Sequence, residues 1–286
     1  MRCRGVFVAW MCLCLGVALP EAWAAAVGTF TRVEGRVELL KQGRPPASAV
    51  RVQDPVEAGD AVRTKSDGRA QVRFRDDSLL TIAPGSLVTI EAFSYEREAG
   101  RRNAVLQILR GLVHCVVEKI HQTERPDFLL KTHTAVLGVR GTRWYTLLGA
   151  RYTAAYTESG LLEMGSSLPE LPRRVLIRAG EMSSVALKEP PTPPRRYPPA
   201  FREVLKLWLT RGVPEWVLSL DPTQLPGLDQ IPPVPEIQKL PESLFVPPLP
   251  PAPRPPEKPE PPGPPQPPIE PGRPPGQNVS PAVRDR

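Results

Sequence analysis

The sequence predicts an all-β domain, and three observations carry that prediction. Between residues 27 and 188 the apolar residues recur with period two: Ala70, Val72 and Phe74 alternate with Arg69, Gln71, Arg73 and Arg75, as in a strand with one buried and one charged face. Turn-forming residues return at roughly 8 to 12 residue intervals, with no helical periodicity between them. Proline is unevenly placed: of 39 prolines in 286 residues, 8 precede Pro190 and 31 lie between Pro190 and Arg286. Proline removes amide donors and is excluded from helix interiors and central strands, so at most about two-thirds of the chain can form a core.

The N-terminal segment is read first. Arg2 and Arg4 precede an apolar run from Val6 to Leu19, followed by Pro20 and Ala22-Trp23-Ala24. A basic start, a short apolar stretch and an A-x-A site describe a secretory signal peptide at residues 1–24, and no later stretch approaches the ~20 apolar residues of a membrane helix. Export to the periplasm or the exterior follows as an expectation, with no transmembrane segment after signal cleavage. Cys3, Cys12 and Cys14 leave with the signal, and Cys115 alone cannot form an internal disulfide, so the fold must rest on its hydrophobic core. Of the formal charge of +7, +5 belongs to residues 25–189, where basic and acidic residues alternate as in Arg73, Arg75, Asp76 and Asp77. Without a basic run interleaved with aromatics, a nucleic-acid partner is not expected.

Along residues 27–188 the strands follow in order. After the strand at 69–75, Asp76-Asp77-Ser78 reads as a tight turn, Leu80 and Ile82 resume the alternation, and Pro84-Gly85-Ser86 turns the chain into Leu87-Val88-Thr89-Ile90. Further strands are expected at Val105 to Leu109, Leu112 to Val117, Phe128 to Lys131, Ala135 to Val139, Arg143 to Leu148, Arg151 to Thr157 and Val175 to Ile177. A sandwich, a barrel and a solenoid all remain open. An internal echo narrows the choice. Residues 33–40, VEGRVELL, are followed by Ala58-Gly59-Asp60; residues 157–164, TESGLLEM, are followed by Ala179-Gly180-Glu181. Gly35, Gly59, Gly160 and Gly180 are expected at turns needing positive φ, in a pseudo-repeated β architecture.

The fragments GRVELL (35–40), EAGDAVRT (57–64), GRAQVRFRDDSLLTIAPGSLVTI (68–90), LQILRGLVHCVV (106–117) and FLLKTHTAVLGVRGTRWYTL (128–147), in that order, resemble the FecR-type domain named for the ferric citrate regulator. The resemblance spans about 120 residues, and its most specific piece is Val139-Arg140-Gly141-Thr142. It implies a FecR-like sandwich or solenoid-like domain that serves protein–protein recognition in a bacterial envelope, as a sensing or relay module. The sequence departs from the family pattern at His133, where proline often follows the threonine. The namesake regulators also carry a cytoplasmic anti-sigma segment and a membrane helix before this domain. Here the signal segment runs directly into it, so a stand-alone exported form is expected, and direct sigma-factor control does not carry over.

Candidate chemistry is sparse. His114, His121, His133 and Cys115 invite a metal reading, but His114 and Cys115 are adjacent on a strand and point to opposite faces. Neither C-x-x-C nor H-x-x-x-H spacing occurs, so no metal site is expected. Asp76 and Asp77 sit at a turn, where aspartate commonly caps its own backbone. Ser66, Ser78 and Ser86 lack a nucleophile-elbow context, and no glycine-rich loop opens a helix. Neither enzymatic activity nor a cofactor is expected. Two readings stand for Gly138 to Thr142: a bulge or corner with the Thr142 hydroxyl bonding locally, or a recognition edge of Arg140, Gly141, Thr142, Arg143, Trp144 and Tyr145, residue types that dominate interface hot spots.

Residues 189–246 read as a linker that carries one helix at 200–211, opened by Pro198-Pro199 and closed by Gly212. Phe201, Val204, Leu205 and Trp208 share one face. A helix of this length is marginal alone, so Phe201 and Trp208 either pack on the β domain, with a second short turn from Trp216 to Leu220, or dock a partner. Residues 247–286 form a proline-rich tail expected to be disordered. Its segment 247–275 holds 17 prolines in 29 positions and should extend as polyproline II, reaching ~90 Å. The partner expected is an envelope protein or a cell-wall component. The alternative to recognition is a structural role in which the tail spans or anchors to cell-wall material.

Overall fold

The computed structural model describes residues 26–120 and 126–220, and it is all-β with two short helices at the end. The signal segment at 1–24, His121 and the proline-rich tail at 247–286 lie outside the described residues. No helix among the described residues is long and apolar enough to cross a membrane.

The chain builds two stacked sheets by crossing repeatedly from one to the other. β1 (Gly28–Glu34) lies in an inner sheet and turns at Gly35 into β2 (Val37–Leu40) of an outer sheet. β3 (Ala47–Ala49) pairs with β2 and β4 (Pro55–Val56) with β1, and β5 (Ala61–Thr64) returns beside β2. β6 (Arg69–Phe74) and β7 (Leu79–Ile82) form an inner hairpin, and β8 (Leu87–Glu96) returns to the outer sheet. β9 (Arg101–Val117) is a 17-residue strand whose first part pairs with β8 in the outer sheet and whose second part pairs with β7 in the inner one. β10 (Phe128–Lys131) lies parallel to the outer part of β9 and antiparallel to β11 (Ala135–Val139). β12 (Thr142–Leu148) and β13 (Tyr152–Ser159) are inner, β14 (Leu161–Ser166) and β15 (Arg174–Arg178) outer, and β16 (Glu181–Ala186) with β17 (Arg195–Arg196) inner again. The inner order is therefore β4, β1, β6, β7, β9, β12, β13, β16, β17, and the outer order is β3, β2, β5, β8, β9, β10, β11, β14, β15. Both run almost in chain order. The fold is a sandwich traversed like a solenoid, which explains why both patterns were legible.

The crossings need sharp corners. Gly35 (φ 60°) and Gly160 (φ 83°), the glycines of the echoed VEGRVELL and TESGLLEM, each carry the chain from the inner to the outer sheet. Both adopt left-handed backbone, and a Cβ would run into the Asp67 carbonyl oxygen at Gly35 and the Gly141 carbonyl oxygen at Gly160. The second half of the echo has its own account. Asp60 accepts a hydrogen bond from the Glu57 amide (3.0 Å), and Glu181 accepts one from the Arg178 amide (2.9 Å). In both Ala-Gly-acid phrases the carboxylate closes its turn on the amide three residues back.

The intersheet core includes Phe30, Val62, Val72, Ile82, Ile90, Leu106, Cys115, Leu137 and Leu162. Part of the inner sheet, from β9 to β16, is covered on its second face too. α1 (Phe201–Arg211) lays Phe201, Val204, Leu205, Trp208 and Leu209 against Leu112, Tyr145, Leu147, Tyr152 and Tyr156. Phe201 lies 5.1 Å from Tyr156 and 5.7 Å, edge to face, from Trp208 between ring centroids. α2 (Glu215–Ser219) is the expected short turn, tied down by the Tyr152 hydroxyl donating to the Val217 carbonyl (2.8 Å) and the Ala150 amide donating to Leu218 (2.7 Å).

Three expectations need correction. The strands expected at Val105 to Leu109 and Leu112 to Val117 are one strand, because Gly111 (φ 95°) bends β9 between sheets without ending it. Residues 189–220 are not linker: β17, α1 and α2 pack on the inner sheet. Phe201 and Trp208 are buried by their own chain, so they are not a docking face.

Replacing both Phe201 and Trp208 with serine should cost about 6 kcal/mol or more, since each truncation of a buried aromatic costs about 3–5 kcal/mol. Thermal unfolding should show the midpoint falling by more than about 10 °C; an unchanged midpoint would mean the helix adds nothing to the domain. Gly160→Ala should destabilise by about 1–3 kcal/mol in urea titrations, reflecting the left-handed backbone and the neighbouring carbonyl.

Candidate recognition surface

The Val139 to Tyr145 corner passes from β11 to β12, with Gly141 at φ 79°. The Thr142 hydroxyl donates to the Leu161 carbonyl (2.8 Å), so this corner is bolted to the neighbouring corner at Gly160. That is the structural reading of Gly138 to Thr142, with the Thr142 bond reaching the next corner. The recognition-edge reading fails for the aromatics. Trp144 is fully buried between the sheets, where it meets Phe128 edge to face and its indole N–H donates to Thr146 (2.9 Å). Tyr145 points the opposite way and stacks on His114 beneath the helix layer, ring centroids 4.3 Å apart. Alternation along a strand sends one aromatic to each face, and at β12 both faces of the inner sheet are covered. Of the six residues, only Arg140 and Arg143 are exposed at this corner, while Gly141 is half-buried.

Two buried polar clusters hold the interior. Arg102 donates to Asp76 (2.7 Å) and Asp127 (2.7 Å) and lies over the Phe128 ring. Asp76 also accepts from the Ser78 amide (3.1 Å), the turn role expected of it, while Asp77 pairs with Arg73 (2.6 Å) at the surface. Arg102 was missed, yet it falls in phase with the buried Ala104, Leu106 and Ile108 of β9. The second cluster sits between the inner sheet and α1, where His114 Nε2 lies 3.0 Å from Glu158 and Arg202 of the helix 3.7 Å from the same carboxylate. Burial alone would raise the Glu158 pKa; the His114 hydrogen bond and the Arg202 and Lys206 charges outweigh it and hold the carboxyl below its ordinary value. Cys115, across the strand from His114, faces the intersheet core, and burial pushes its thiol up, away from thiolate chemistry. Among the described residues no three His, Cys, Asp or Glu side chains converge as a metal site would require.

The solvent side of the outer sheet remains uncovered among the described residues. A depression of about 530 Å³ opens there over adjacent strands, with Gly138 of β11 under Pro126 and Gly165 of β14 under the Arg174 stem in its lining. Leu129, Val136 and Pro126 give it an apolar floor and wall. Glu163 and Arg174, paired at 2.5 Å, form a charged rim, and a second pair, Lys131 with Glu91 (2.7 Å), lies nearby on the same face. An apolar centre bounded by paired charges is the anatomy of a protein-binding patch.

Removing Arg102 alone leaves Asp76 and Asp127 without their shared partner. Arg102→Leu should therefore destabilise by about 3–5 kcal/mol, and adding Asp76→Asn and Asp127→Asn should recover part of that loss in the same denaturation assay. Glu158 supplies a pH prediction. Its folded pKa lies below the unfolded one, so its stabilisation is complete above the unfolded carboxylate value near about 4.3 and is lost as pH falls through the folded value. Glu158→Gln should flatten that acidic limb in urea titrations run from pH 6 to 3.

Residues 60–163 match the family model described as FecR protein. Two crystal structures of a Parabacteroides distasonis ATCC 8503 protein assigned as an anti-sigma factor are similar at 14% identity. One covers 52% of this chain and 63% of its own at a TM-score of 0.40, the other 51% and 63% at 0.39. No curated protein matches the chain in sequence. The matched segment runs from β5 to β14 and takes in the two-sheet strand β9, the Gly141 corner and most of the outer-sheet depression. Over residues 60–163 the chain is similar to the FecR family.

Proposed function

We propose that this protein is an exported, non-enzymatic recognition module of the bacterial cell envelope, with a sensing or regulatory role, and that it receives a protein partner on the open face of the outer sheet. One observation carries the reading: the chain's own helix covers β9, β12 and β13 of the inner sheet, whereas the outer sheet leaves a depression over β10, β11 and β14 that has Leu129, Val136 and Pro126 in its lining. The absence of catalysis is supported by where the carboxylates go. Asp76 and Asp127 are tied to Arg102, and Glu158 to His114, rather than facing an open cleft. Export rests on residues 1–24. A structural role has one feature in its favour, the 17 prolines within 247–275, which suit a stiff spacer.

A photo-crosslinking residue placed at Val136 of the full chain should capture one stoichiometric envelope protein in cells. Val136→Asp, which puts an unpaired charge on the floor, should lower that partner's recovery in pull-downs at least tenfold while leaving the melting temperature within a few degrees. Recovery with bulk peptidoglycan alone, unaffected by Val136→Asp, would favour the structural role.

A further inference from the structure

The outer sheet ends at β15, which pairs only with β14 among the described residues. Val175 and Ile177 point into the core, while Arg174, Leu176 and Arg178 face out. The Arg178 amide is turned away from β14 and donates to the Glu181 carboxylate (2.9 Å). Backbone groups alternate direction along an antiparallel strand, so the N–H and C=O of Leu176 and Arg174 face the same open side. No backbone partner meets them there among the described residues. The inner sheet ends beside it at β17, only two residues long. This end of the sandwich is strongly basic: Arg173, Arg174 and Arg178 on one sheet and Arg195 and Arg196 on the other are exposed. Glu163 and Glu181 are the acids engaged with them, the first pairing with Arg174 and the second capping the Arg178 amide.

We propose that β15 is an acceptor edge for an extended acidic segment of a partner protein, which adds to the outer sheet as a further antiparallel strand. The inference rests on the recognition reading and names the partner's chemistry. Strand addition uses the four outward backbone groups of Arg174 and Leu176 for affinity, and the arginines select carboxylates at alternate positions. Two other occupants fit poorly. A second copy pairing antiparallel about Leu176 would set Arg174 opposite Arg178, like charge against like. The chain's own C-terminal residues from 221 onward contain no proline-free run longer than five residues, and none of the five-residue runs holds more than one acid. Proline cannot donate to a ladder.

The test uses the full chain and a fluorescent peptide of alternating valine and glutamate, followed by anisotropy. The peptide should bind, and its affinity should fall at least tenfold in three controls: lysine in place of glutamate, N-methylation of the backbone amides, and the double variant Arg174→Glu with Arg178→Glu. Hydrogen exchange at the Leu176 amide should slow when the glutamate peptide is added. Equal binding of the lysine or N-methylated peptide, or no binding at all, would overturn the proposal and leave the arginines as charges that merely keep an exposed edge from aggregating. The two readings fail separately. If the double variant captures the crosslinked envelope protein normally while Val136→Asp does not, the edge proposal falls and the recognition face stands.

Discussion

A single strand belongs to both sheets, and the rest of the fold depends on it. β9 pairs with β8 and β10 through its first part and with β7 and β12 through its second. The change of sheet happens at Gly111, whose left-handed backbone packs against Ser86. Ser86 in turn bonds the Leu112 amide (3.2 Å) and gives its own amide to the Thr64 hydroxyl (2.9 Å). At the far end, Arg102 anchors β9 to the turn after β6 and to Asp127 before β10. A strand fixed at its start and at its bend sets the register of four neighbours at once. The two sheets therefore cannot slide independently.

The same geometry decides which surfaces can meet another molecule. With the inner sheet between the outer sheet and the helices, residues 144–148 of β12 and 152–157 of β13 are buried whichever way they point. An outward aromatic there becomes core, as Tyr145, Tyr152 and Tyr156 do. The outer sheet keeps a one-wet, one-dry alternation, seen in β9 and β15, as do β1 and β6 of the inner sheet, away from the helices. The outer sheet's wet face mixes ion pairs with Leu129, Val136 and the half-exposed Leu176.

The parts legible from sequence were those governed by local rules. Period-two alternation located β6, β10 and β11, and the echoed glycine phrases marked four corners correctly, because turn chemistry acts within a few residues. The α1 face was legible for the same reason. What escaped depended on partners distant in sequence. Trp144 and Tyr145 beside two arginines resemble an interface until β9 and β13 are known to flank them and α1 to lie above. Gly111 resembles a strand break because a bend between two sheets and an end of a strand use the same residue. The depression was invisible because its lining residues on β10, β11 and β14 become neighbours only through strand pairing. Arg102 could have been found, since it stands in the buried phase of its own strand.

The almost sequential strand order has a consequence for how such a protein can change over time. Each pass between the sheets touches chiefly the passes before and after it, so the stack is close to one-dimensional. A pass bounded by two glycine corners is a natural unit of insertion or loss, since its removal would let its neighbours close over the gap in the same pairing sense. Only β9 resists, because it is the one strand that both sheets share. Lineages built on this plan should vary in length at their ends and hold their middle constant.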